Sequence, residues 1–147
     1  MKQLATCEFV FPSATHNRFA HSLGAYHLAG RLLGALEEAH PGRIDPLDGE
    51  LVQLAALLHD VGHPPFSHLL ETPEVFATFR HHESWGREML TSETTEVGAA
   101  VRNVLGTARF QRLLALLDGA QEHAGVPIPK VLNEIVSSQW DVDRRDY

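Results

Sequence analysis

Five of this chain's ten histidines fall between Leu58 and Glu83, and three of those lie in the stretch HDVGHPPFSH that begins at His59. Histidine is the commonest metal ligand and the usual proton donor or acceptor near neutral pH. His59 and Asp60 together offer an imidazole nitrogen and a carboxylate, a mixed set that suits borderline divalent cations such as Zn, Fe, Mn, Co or Ni. Neighbours on a helix point about 100° apart. The pair therefore reaches one ion only off a helix end or between the two directions, and further ligands must come from other helices. The sequence supplies His21 in RFAHSLG, and Asp141 or Asp143 in DVD. Three or four protein ligands leave positions open for water and a substrate oxygen, the arrangement of a catalytic rather than a structural site.

The elements that must position these groups read as helices. From Asn17 to Ala39, Phe19, Leu23, Tyr26, Leu33 and Leu36 recur at spacings that predict one apolar face, while Gly24, Ala25, Gly30 and Gly34 would let another helix approach closely. Asp45 and Pro46 form a helix start, followed by ELVQLAALLHD, apolar on several sides and so central to the domain. Gly62, Pro64 and Pro65 stop that helix just past His59-Asp60, which places the polar pair on its last turn. Three more helices are predicted over His82–Leu90, Thr95–Leu105 and Ala108–His123, and Pro129 opens a last segment, PKVLNEIVSSQWDVDRRDY. Strict two-residue alternation is missing apart from CEFVF near the start. The expectation is one all-α domain over residues 1–147, with Trp85 and Trp140 as packing residues.

Composition narrows the function classes. A single cysteine, Cys7, builds neither a disulfide framework nor a thiolate zinc cluster within one chain. The formal charge of -7 argues against a nucleic-acid backbone as partner, because that attraction rests on clustered Lys and Arg. No apolar run approaches the ~20 residues of a membrane span, and MKQLATCEF lacks the layout of a signal peptide. A cytoplasmic globular protein is expected, with no membrane partner.

HNRFAHSLG, LLHDVGHPPFSHLLE, HHE and SSQWDVDRRDY, in that order along the chain, resemble the HD-domain metal-dependent phosphohydrolases. Within that superfamily the sequence is most similar to the deoxynucleoside triphosphate triphosphohydrolase branch. The HD pair alone carries no weight; the ordered pattern H…HDxGHxPFSH…HE…DxDRxDY does. The resemblance implies a helical bundle with the metal site between helices, and His21, His59, Asp60 and Asp143 as ligands of a divalent ion (Mn, Fe, Ni, Co, Zn or Mg). It places Arg18 against substrate phosphates, a role suited to a permanent delocalised charge. His63, His68 and His82 fall on active-site histidines that bind phosphate or transfer protons. Glu71, three residues after His68, can fix the tautomer of His68 or His82. Arg144 and Tyr147 fall on positions that face the nucleotide.

The activity so implied is hydrolysis of a nucleotide phosphate by water whose pKa the cation lowers towards ~7. In the triphosphohydrolase branch it releases deoxynucleoside and tripolyphosphate. The chain reads as a catalytic core truncated relative to the family at both ends, and the apolar patch this would leave favours a homo-oligomer. The rival readings are a phosphodiesterase or monophosphatase of the same superfamily and an inactive metal-binding remnant. The HDxxED signature of HD guanosine-tetraphosphate hydrolases is absent, because Val61-Gly62-His63-Pro64 follows Asp60.

Overall fold

The computed structural model describes residues 9–13, 15, 17–64 and 80–136. Among them are helices α1 (Arg18–Ala39), α2 (Pro46–Leu58), α3 (His82–Thr91), α4 (Glu96–Leu117) and α5 (Lys130–Val136). A hairpin of β1 (Glu122–His123) and β2 (Val126–Pro127) lies between α4 and α5. The all-α expectation holds, with two helix starts as predicted. Asn17 caps α1 by accepting from the Ala20 amide at 2.9 Å, and Asp45 caps α2 by accepting from the Leu47 amide at 2.8 Å. Each satisfies one of the amides that a helix start leaves without an intrahelical acceptor.

α2 is the centre of the bundle and packs on α1, α4 and α5. Its Leu51, Val52, Ala55 and Ala56 are buried, facing Leu113, Leu114 and Leu116 of α4 and Leu132 and Ile135 of α5 in one core. Full burial of each leucine contributes roughly 2 kcal/mol. The buried face of α1 differs from the predicted one. Leu33 is buried and Leu36 packs against the core as predicted, but Phe19, Leu23 and Tyr26 are 71%, 45% and 40% exposed, and His21, Ala25 and Ala29 are buried in their place. Small side chains at four-residue spacing won that face because they bring the α1 backbone close to α2, and the same register carries His21 inward.

The predicted break between Thr95–Leu105 and Ala108–His123 is present as a kink within α4, and only the second stretch ends earlier than predicted. Gly106 breaks α4 with φ 70° and ψ 171°, a backbone region open essentially to glycine. Helix α4 stops at Leu117, and residues up to His123 form a turn and β1 instead. Ala124 and Gly125, both with positive φ (52° and 75°), turn the chain back so that Glu122 pairs with Pro127 and His123 with Val126. Phe9, Val10 and Phe11, the described part of CEFVF, are not in a strand. Trp85 is 41% exposed, with the Arg80 guanidinium 4.5 Å above its ring, rather than packed in the core.

Two ion pairs tie α2 to α4, an exposed one between Glu50 and Arg109 and a more buried one between Asp48 and Arg112. Arg112 of α4 holds Asp48 of α2 through two bonds, Nε to Oδ1 at 2.5 Å and Nη2 to Oδ2 at 2.6 Å. That bonding raises the Arg112 pKa against the burial that lowers it. Removing one partner strands the other charge where solvation is poor. Asp48→Ala is expected to cost about 3 kcal/mol in urea denaturation, whereas replacing both residues together (Asp48→Leu with Arg112→Met) recovers most of that loss.

Candidate metal centre

The site forms where α2 runs out. The helix ends at Leu58, with His59 as its C-cap, so Asp60 lies one residue beyond the end rather than on the last turn. Two further turns keep the backbone wound tightly, the Val61 amide donating to Leu58 (3.1 Å) and the His63 amide to Asp60 (3.2 Å). His59, Asp60 and His63 therefore project from one compact corner. Across from it stands the first part of α1, where Arg18 and His21 are three residues apart and share a helix face.

Asp60 is the hub. It is only 8% exposed, and His21, beside it, 3%. Arg18 Nη1 donates to Oδ2 in a short ion pair. The Nε2 atoms of His59 and His63 each lie 3.3 Å from Oδ1, and Nε2 of His21 lies 3.9 Å from Oδ2. Burial alone would raise the pKa of this carboxyl. The hydrogen bond from His63 and the positive charges of His59 and Arg18 outweigh it, and lower the value from 3.8 to about 2. Asp60 is thus ionised at every physiological pH.

The donor set fits a divalent cation. One ligand atom each from His21, His59 and Asp60 lie within 4.8 Å of one another. Nδ1 of His59 is 2.7 Å from the carbonyl oxygen of Ala56. A carbonyl only accepts, so Nδ1 carries a proton, and Nε2, which faces Asp60, is the atom that takes either a second proton or a metal. Two electron-pair donors in that position call for positive charge between them, supplied by a proton or by a metal. Locking the far nitrogen to a carbonyl is also how ligating imidazoles are oriented. A second group with the same spacing, Asp60, His63 and His82, shares the carboxylate. Within it the His63 and His82 rings stack, with centroids 3.7 Å apart and planes 12° from parallel.

Of the residues singled out in the sequence, the structure brings Arg18, His21, His59, Asp60, His63 and His82 to one place. His68, Glu71, Asp143, Arg144 and Tyr147, together with Trp140 and the rival ligand Asp141, lie outside the described residues. Sequence reasoning missed two features. One is the contact between Arg18 and Asp60, since Arg18 was expected at phosphate. The other is the role of Gly62, read as a helix stop; its φ is not positive, and it is buried against α3. A glycine squeezed between an HD pair and a further histidine was the available signal.

The HD domain family profile matches residues 18–137. "Uncharacterized protein YwfO" of Bacillus subtilis is 37% identical over 147 residues, covering all of this chain and 31% of its own length. "Deoxynucleoside triphosphate triphosphohydrolase SAMHD1" of Homo sapiens is 51% identical over 72 residues, 48% of this chain and 12% of that protein. A crystal structure of a phosphohydrolase from Bacteroides thetaiotaomicron superposes with TM-score 0.77 at 29% identity, over all of this chain and 32% of its own. The chain thus spans about a third or less of the length of these relatives.

Two measurements check the centre. A cation bound at 100 times its Kd adds about 2.7 kcal/mol to folding stability. Loading the protein with Mn, Fe, Co, Ni or Zn is therefore expected to raise Tm, chelation to lower it, and Asp60→Asn to erase the difference. In the metal-stripped protein, the lowered Asp60 pKa gives stability that is complete above pH 3.8 and declines as pH falls towards 2. Urea titrations across that range are expected to show roughly 2 kcal/mol more loss in the unsubstituted chain than in Asp60→Asn.

Proposed function

The chain belongs to the HD-domain family, and from that premise we propose that it is a metal-dependent phosphohydrolase acting on nucleotides. The proposed substrate is a deoxynucleoside triphosphate, split by water at the phosphorus next to the sugar into deoxynucleoside and tripolyphosphate. The observation that carries the proposal is the convergence of Arg18, His21, His59, His63 and His82 on one ionised carboxylate, with three of the groups at metal-ligand spacing. The identity to named triphosphohydrolases over the half of the chain they match supports the substrate class.

His21, His59 and Asp60 would hold the cation, with Asp143 as the proposed fourth ligand. Bound there, a divalent ion supplies Lewis-acid polarisation of a phosphoryl oxygen and lowers the pKa of water. The chain's own residues do the rest. Arg18 is anchored through Nη1 on Asp60; a guanidinium carries five N–H donors in a fixed fork, so an anchored one can still face a phosphate oxygen. His63, held by Nε2 against Asp60, and His82, stacked on it, bind the remaining oxygens. One of them gives the departing 5′ oxygen the proton that an alkoxide needs before it can leave. His68 is proposed as a third such histidine, Glu71 as a carboxylate that orients an imidazole, and Arg144 and Tyr147 as contacts to the nucleotide.

The test is incubation of the metal-loaded protein with each deoxynucleoside triphosphate, reading products by phosphorus NMR. Tripolyphosphate with free deoxynucleoside is the expected outcome, and Asp60→Ala is expected to lower kcat by at least about 10³-fold, the scale of a lost metal and charge centre. Pyrophosphate or orthophosphate as the first product would instead favour a phosphodiesterase or monophosphatase. Bound metal with no turnover of any nucleotide would overturn the enzymatic proposal.

A further inference from the structure

His82 comes to the site by a route of its own. His21, His59, Asp60 and His63 belong to α1 and the end of α2, two helices packed directly on each other, whereas α3 packs on α4. The far end of α3 is fastened there firmly. Arg102 donates to the Leu90 carbonyl at 2.7 Å and to the Ser92 carbonyl at 2.8 Å, and the Thr95 hydroxyl donates to the carbonyl of Met89. On the surface Arg87 pairs with Asp118, just past the end of α4. None of these contacts fixes how near the other end of α3, which starts at His82, stands to His63.

Gly62 does. A Cβ on Gly62 would lie 2.1 Å from the amide nitrogen of Gly86, 2.1 Å from the carbonyl oxygen of His82 and 2.7 Å from the Cα of Gly86. All three are backbone atoms of α3, and one belongs to His82 itself. Non-bonded heavy atoms settle at about 3.5–4.0 Å, so any side chain at position 62 forces the two backbones apart. The requirement is for room alone, since Gly62 does not have positive φ. The contact is asymmetric: a Cβ on Gly86 would meet its nearest neighbours, Gly62 N and Val61 Cγ1, at 3.4 and 3.5 Å, ordinary packing distances.

We propose that Gly62 is a positioning residue, whose bare backbone sets the closeness of α3 and thereby the stacking of His82 on His63. The inference rests on the phosphohydrolase reading for its effect on turnover, but not for its effect on geometry. Displacing α3 by an ångström or more would separate rings now 3.7 Å apart between centroids. His21, His59 and Asp60 would stay in place, because none of them is carried by α3.

The experiment uses Gly62→Ala in the full chain. With zinc bound, which is diamagnetic, nuclear Overhauser contacts between the ring protons of His63 and His82 are expected in the unsubstituted protein and lost in the variant, at unchanged metal content. In the nucleotide assay, kcat is expected to fall at least tenfold while KM changes less than threefold. Gly86→Ala is expected to keep the ring contacts and to hold kcat within threefold. Should Gly62→Ala fail to fold by circular dichroism, Gly86→Val presses the same contact from the other side and is expected to break the ring contacts. Ring contacts that survive in Gly62→Ala, metal lost together with them, or Gly86→Ala as damaging as Gly62→Ala would each overturn the proposal. A parent protein that turns over no nucleotide would defeat the functional reading, while ring contacts and metal content still decide this one.

Discussion

The structure depends on keeping one carboxylate charged where water cannot reach it freely. Moving a carboxylate out of water costs several kcal/mol even after relaxation, and Asp60 is buried. Its charge persists because Arg18 and the imidazoles of His59 and His63 surround it, outweighing the burial that would neutralise it. These partners come from two helices, so the electrostatic requirement of one side chain fixes how α1 and the end of α2 stand relative to each other. The geometry that answers this requirement is also the geometry of a cation site. Imidazole lone pairs and a carboxylate oxygen facing one another are costly alone and favourable around positive charge.

The rest of the bundle makes that approach possible. Ala25 and Ala29 are fully buried on the α1 face that turns to α2, and small side chains there let Arg18 and His21, two turns and one turn before Ala25, reach Asp60. α2 is held from its other sides by α4 and α5, and the Asp48–Arg112 bonds tie it to α4 near its start. The polar corner at the end of α2 is thus the free end of a helix whose body has no freedom to shift. A site built on such an end gains precision that a loop alone would not provide.

Much of this was legible in the residues, for physical reasons that differ from case to case. The helix start at Asp45 was readable because capping is a local matter between a side chain and an amide two residues away, and the one at Asn17 because an apolar recurrence begins there. The HD pair was readable because it falls within an ordered pattern of histidines and acidic residues and follows an apolar helix that ordinary packing would not end on two polar groups. The buried face of α1 was misread because hydrophobicity was allowed to outvote size: Phe19, Leu23 and Tyr26 are the greasier residues, but the alanines permit the closest approach. The continuation from Leu117 to His123 was misread because Leu113, Leu114 and Leu116 carried a helical pattern up to residues whose turn depends on Gly119, with φ 66°. Gly62 was seen and given the wrong reason, since a helix stop and a close backbone approach call for the same residue type. Only the position of α3, set by contacts distant in sequence, tells them apart.

The electrostatics also separate two questions that composition alone merges. A formal charge of -7 over the chain speaks against long polyanions, which need neutralising charge spread across a surface. It does not speak against a small anion at one point. Around Asp60, Arg18 and four histidines meet a single carboxylate, so the local balance is opposite in sign to the global one whenever an imidazole is protonated or a cation is present. Low-dielectric walls strengthen such a local field, while the acidic remainder of the surface acts across solvent and salt, which screen it within about 8–10 Å. A small anion can be drawn to this corner by charges that the protein's net charge does not display. The acidic composition and the cluster of cationic and titratable groups around Asp60 are therefore compatible properties of one molecule.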